Sequence, residues 1–157
     1  MSVFTRYDEP AAGFRIVAGP EQGLTSFLIA AGRLAANEGG PLHLHHGDEV
    51  LRILDGELIV TVGDQVRKCG AGDIISVPAD ILHGFQTLTE VRLEVVSVLA
   101  AGQLFPTYRP DGSRELMEVF RRDMPWSRTP PPGFDWTTES RMEEVLSAAL
   151  PPSREAR

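Results

Sequence analysis

Between Leu42 and Val98 the chain is cut into short apolar runs by turn signals, and this punctuation restricts the fold more than any other feature. Asp55-Gly56 separates residues 50–54 from residues 57–62, Gly63-Asp64 leads into residues 65–69, and Gly70-Ala71-Gly72-Asp73 turns the chain into residues 74–77. Pro78 ends that run, because it lacks the N–H a strand ladder needs. Residues 82–88 and 91–95 follow, the latter with Arg92 and Glu94 expected to face water, and residues 96–100 form a further apolar strand. Upstream, residues 14–17 and 24–30 flank the turn at 19–23, and the small residues 31–40 are expected as a loop. Short strands joined by tight turns predict an all-β sandwich or barrel, with no repeated βαβ pattern.

Into this frame falls the run Gly40-Pro41-Leu42-His43-Leu44-His45-His46-Gly47-Asp48-Glu49. In an extended strand, side chains two apart share a face at a separation of roughly 6.6 Å. His43 and His45 therefore point the same way, and one metal ion can sit between their imidazoles. Gly47-Asp48 reads as a turn that brings Glu49 alongside at the start of the next strand, and His83 could complete the set from a distant strand. His46 has the opposite parity, which places it at a rim or on the surface.

The spacing His43-x-His45-x3-Glu49-x6-Gly56, followed by Gly72-x5-Pro78-x-Asp80-x2-His83-x3-Thr87, resembles the paired signature motifs of the cupin superfamily. Three positions depart from the family pattern: its leading Gly falls at Asn37, Asp80 follows Pro78 in place of Gly, and Thr87 replaces the closing Asn. None of these removes a ligand. The resemblance implies a jelly-roll barrel in which His43, His45, Glu49 and His83 bind one divalent transition metal per chain, with Fe, Mn, Ni, Co, Cu and Zn all suited to the set. Inside such a barrel a carboxylate without a countercharge would lose several kcal/mol of hydration. A bound cation removes that problem, adding about 4 kcal/mol of stability when free metal exceeds its dissociation constant 1,000-fold.

Parity also nominates a pocket lined by Leu51, Ile53, Phe85, Thr87, Leu93 and Val95, suited to a small, fairly hydrophobic substrate that chelates through oxygen. Phe105, Tyr108 and Trp126 either cap its mouth or pack on the outside of the barrel. The cupin barrel with its N-terminal strands is expected over residues 1–102, with the metal site within 43–83. Residues 103–157 form a partly helical extension wrapped on it: a short helix over 114–122, an extended Pro-rich stretch over 125–134, and a helix over 140–149 opened by the Ser140-x-x-Glu143 capping box.

A chain of 157 residues with 42% apolar content suits one domain. The net charge of −7 weighs against a nucleic-acid or anionic-membrane surface. Residues 1–10 hold Arg6, Asp8 and Glu9 without an apolar run, no segment approaches the roughly 20 apolar residues of a membrane span, and a cytoplasmic protein is expected. The single Cys69 reads as a small buried residue ending a strand. The resemblance implies three kinds of activity. The first is a dioxygenase acting on an enol, diketone or flavonol-like substrate, with Glu49 shuttling its proton. The second is a non-redox polyketide cyclase or isomerase, and the third a metal-dependent binding module. It also implies a homodimer, for which strand pairing by residues 14–17 is one route.

Overall fold

A computed structural model describes residues 2–99, 102–108, 111–120 and 132–133. Eleven strands follow in order among them: β1 (Gly13–Ala18), β2 (Phe27–Leu34), β3 (Gly39–His43), β4 (Glu49–Asp55), β5 (Glu57–Val62), β6 (Gln65–Gly70), β7 (Ile74–Val77), β8 (His83–Thr87), β9 (Val91–Val98), β10 (Gln103–Tyr108) and β11 (Arg114–Val119). One five-stranded sheet runs β1-β2-β9-β4-β7, a four-stranded sheet runs β3-β8-β5-β6, and β10 pairs with β11. All named pairings are antiparallel.

The two larger sheets form the jelly-roll, and period-2 patterning explains how. Along β4 the buried residues are Glu49, Leu51 and Ile53, whereas Val50 and Arg52 are exposed. Along β9, Val91, Leu93, Val95 and Ser97 are buried, and β5 contributes Leu58 and Val60. These meet Leu28, Ala30, Cys69 and Val77 in one core. Each fully buried Val or Leu side chain stabilises the fold by about 1.5–3 kcal/mol, so the inward face of each strand is strongly specified. Gly56, in the β4–β5 turn, has φ +85°, and a Cβ there would lie 2.0 Å from the Glu90 carbonyl oxygen. Only glycine fits that turn.

The structure revises several expectations. Residues 31–34 continue β2, and Gly39 and Gly40 already belong to β3, so the expected loop shrinks to residues 35–38. Residues 91–98 are one continuous strand, because β9 pairs along its length with β2 and β4. The expected helix at 114–122 is replaced over Arg114–Val119 by strand β11. Leu116, Met117 and Val119 suit a helical face by spacing. However, all six residues pair in register with β10, and Met117 and Val119 pack with Phe105. Tertiary pairing outweighs the local pattern. The Pro-rich stretch apart from Pro132 and Gly133, the helix at 140–149 and Trp126 lie outside the described residues. Among the described residues no helix is long and apolar enough to cross a membrane.

Candidate metal centre

Three local devices deliver the histidines. His43 closes β3 and pairs across the ladder with His83, the first residue of β8. The register slips between Gly40 and His43, where Pro41 offers no N–H to the ladder. Gly84 allows the close approach of the two strands, since a Cβ there would lie 2.6 Å from the Gly40 carbonyl oxygen. His45 follows the single bridge at Leu44, and Glu49 opens β4 after the turn. All four side chains are buried.

Each imidazole is oriented from behind by a backbone carbonyl. His43 Nδ1 lies 2.7 Å from Pro41 O, His45 Nδ1 2.7 Å from Gly47 O, and His83 Nδ1 2.8 Å from Ile81 O. A carbonyl only accepts, so each Nδ1 carries a proton and donates. In the neutral ring the lone pair then falls on Nε2, which is the arrangement of a metal-binding histidine. The ring centroids of His43 and His83 are 4.4 Å apart, and those of His45 and His83 4.8 Å. One ligand nitrogen from each of the three histidines lies within 4.8 Å of the others. His45 Nε2 and His83 Nε2 are buried without a hydrogen-bond partner among the described residues. Two orphaned buried nitrogens beside a carboxylate are what a cation would satisfy, so these residues fit a metal ion.

Glu49 Oε2 lies 3.3 Å from His45 Nε2, an ion-pair contact without a hydrogen bond, and Oε1 lies 3.8 Å from His83 Nε2. Ser97, directly opposite Glu49 in the β4–β9 register, donates its hydroxyl to Oε2 at 2.5 Å. Burial, with His83 beside it, pushes His43 down from its ordinary value to about 3. Burial also lowers His83. Burial works against a charge on His45 as well, but the neighbouring Glu49 carboxylate outweighs it and holds His45 above its ordinary value. Burial likewise opposes the Glu49 carboxylate, yet His45 and the Ser97 hydroxyl bring Glu49 below its ordinary value. Without metal, His45 and Glu49 thus favour each other's charged forms.

The centre opens on a partly open cavity of about 320 Å³, whose lining includes His43, Glu49 and His83. Of the nominated pocket residues, Leu51, Phe85 and Val95 line it. Ile53 and Leu93 share their parity but lie outside the lining, in the core. Thr87 is fully buried, and its Oγ1 lies 2.6 Å from Ala35 O and 2.8 Å from Glu38 O, tethering the turn that enters β3. His46 is exposed, with Nδ1 2.5 Å from Asp80 Oδ1. Phe105 lines the cavity wall with its ring 5.5 Å from that of His43. Sequence reasoning missed Ser97 and Gln103. Ser97 was within reach, since it continues the inward parity of Leu93 and Val95; Gln103, also in the lining, carries no local signal.

A family model described as Cupin domain matches residues 32–99, which with this fold supports a small cupin-domain protein. Solved structures agree at the level of fold. The polyketide cyclase RemF from Streptomyces resistomycificus is 22% identical with a TM-score of 0.51, over 76% of this chain and 81% of that one. An RmlC-like cupin from Shewanella frigidimarina is 20% identical with a TM-score of 0.51, over 57% and 80%. A cupin superfamily protein from Desulfitobacterium hafniense is 20% identical with a TM-score of 0.51, over 59% and 82%. No curated protein matches the chain.

Proposed function

We propose that the chain is a metal-dependent enzyme acting on a small, enolisable, oxygen-chelating substrate such as a β-diketone or flavonol-like molecule, with oxygenation as the leading reaction. The observation that supports it most is the convergence of three Nδ1-anchored imidazoles, with the Glu49 carboxylate 3.3 Å from that of His45, beside a mainly apolar cavity lined by His43, His83 and Glu49. A divalent transition metal held by His43, His45, His83 and Glu49 would supply an anchor for the substrate's oxygens and favour its enolate.

The chain's own residues divide the remaining work. Glu49, ionised and oriented by Ser97, is placed to take the proton lost on enolisation. Leu51, Val60, Val77, Phe85 and Val95 pack the substrate's apolar body and exclude water. Glu38, the other carboxylate in the lining, is exposed at the rim, and its Oε2 accepts from the Ala35 N–H at 2.9 Å. Among the described residues lining the cavity, Glu49 is the one buried carboxylate.

The test is oxygen uptake by metal-loaded protein across a panel of β-diketones and flavonols, repeated under nitrogen. Uptake that His43→Ala and His83→Ala abolish supports oxygenation. Turnover that persists under nitrogen moves the assignment to the cyclase or isomerase class. Tight binding with no turnover in either gas makes the protein a binding module.

A further inference from the structure

β10 brings to the cavity a side chain that the chemistry above does not use. Leu104 pairs with Leu44 through two backbone hydrogen bonds, Leu44 N–H to Leu104 O at 2.8 Å and Leu104 N–H to Leu44 O at 2.7 Å. In an antiparallel bridge the residues flanking the pair oppose each other. Gln103 therefore stands across from His45, and Phe105 across from His43. The 5.5 Å separation of the His43 and Phe105 rings agrees with that register.

Gln103 lines the cavity at 3% exposure. Its Nε2 is buried with no hydrogen-bond partner among the described residues. On its other side the register neighbour is Val119, whose side chain has no acceptor. A carboxamide N–H in this state has given up water without replacing it, and natural interiors seldom leave such groups unpaired. A ligand oxygen in the cavity would remove the deficit. Around Gln103 the lining is mainly apolar, including Phe14, Leu34, Leu51, Phe85 and Phe105. The cavity volume lies near the lower end of the usual ligand-pocket range of about 300–1,000 Å³, which points to a small ligand.

We propose that Gln103 donates a hydrogen bond from Nε2 to a carbonyl or enolate oxygen of a small ligand whose oxygens also engage the His43, His45, His83 and Glu49 centre. Gln103 is thus a positioning residue that selects for an acceptor at that point. An analogue lacking the acceptor leaves the buried N–H unpaired and binds less well. The proposal rests on the metal assignment above and adds to it a hydrogen-bond donor of the protein that orients the chelating ligand.

The experiment uses cobalt(II)-loaded protein, wild type beside Gln103→Met, titrated with acetylacetone and separately with imidazole. Cobalt absorption follows binding, elemental mass spectrometry gives metal content, and circular dichroism checks the fold. Methionine keeps the length of the side chain and removes the donor. Gln103→Glu keeps its shape and presents acceptors in place of the donor, so it serves if the methionine variant folds poorly. Both variants should retain metal and bind imidazole as the wild type does, while acetylacetone affinity falls about tenfold or more. Unchanged acetylacetone affinity with metal retained overturns the role of Gln103 and leaves the metal assignment standing. Metal loss from a folded Gln103→Met protein also overturns it, by making the residue part of the metal scaffold. Wild-type protein that takes up no metal sinks the assignment on which the proposal rests.

Discussion

At the residue scale the centre depends on which nitrogen of each histidine carries a proton. Three backbone carbonyls hold the Nδ1 protons, and three Nε2 atoms turn inward as a result. Replacing His43 or His83 with Ala should abolish stoichiometric metal in purified protein, read by elemental mass spectrometry. Unchanged metal content in both variants would sink the site. Ser97 acts one step further out, as the donor that orients Glu49. Ser97→Ala should weaken metal affinity about 10–100-fold, the range typical for such outer partners, while leaving the fold intact. A competition titration with a chelator checks it, and wild-type affinity would mean that the β4–β9 register alone orients the carboxylate.

Protonation follows from the same contacts. His43 and His83 are lowered in the folded metal-free protein, His43 to about 3, so below the ordinary value of 6.5 the unfolded chain binds protons that the folded chain refuses. Stability should therefore fall as pH drops from about 6.5 toward 3, by at most about 1.4 kcal/mol per pH unit for each such group. His45 runs the other way. Its raised value gives a contribution fully present below 6.5 and lost as pH rises through the folded value. Glu49, lowered from 4.5, contributes above 4.5 and loses that contribution as pH falls through its folded value. Denaturant unfolding of metal-free protein across this range tests the net sign, and His43→Phe, which cannot protonate, should flatten the acid limb. A slope unchanged by that substitution would contradict the assignment.

At the scale of elements, tight turns and tethers place the strands. Gly56 couples a left-handed φ to contact with Glu90, so a side chain meets both backbone strain and a clash. Gly56→Ala should lower stability by about 2 kcal/mol or more, measured as a shift in denaturant midpoint. A midpoint unchanged within error would show that the turn relaxes freely. Asn37 and Asp80, at two positions where the cupin motifs carry Gly, have φ of 66° and 64°. Asn and Asp tolerate that region better than other side chains, which explains how the departures keep the local geometry. β11 teaches the reverse lesson. Its apolar spacing suits a helix, but six register pairs with β10 make it a strand.

At the scale of the whole molecule, metal and fold are one equilibrium. A centre assembled from β3, the turn after Leu44, β4 and β8 exists only in the folded chain, so saturating metal should raise the melting temperature and a chelator should reverse the gain. A melting temperature indifferent to every divalent metal tried would count against the centre. Homodimerisation is a proposal for the same scale. β1 lies at the edge of the five-stranded sheet, and an edge strand presents unpaired backbone groups to a second copy. Light scattering should report the mass of two chains, and the mass of one chain at working concentration would refute it.

What the sequence determined by itself is the part written by neighbouring residues. Turn signals separate the strands from β4 to β8, parity places His43 and His45 on one face, and the Gly47-Asp48 turn brings in Glu49. Each follows from a period of two and from backbone preferences that act over a few residues. Only the tertiary structure decided which distant strands meet. The pairing of Glu49 with Ser97, of His43 with His83 and of Leu44 with Leu104 depends on register between segments far apart in the chain. The inward turn of Gln103 and Phe105, the strand that replaced a helix at β11, and the depth at which Ile53 and Leu93 leave the cavity lining all follow from those pairings. Register is set by how whole faces bury against one another, and no local window of residues contains that information.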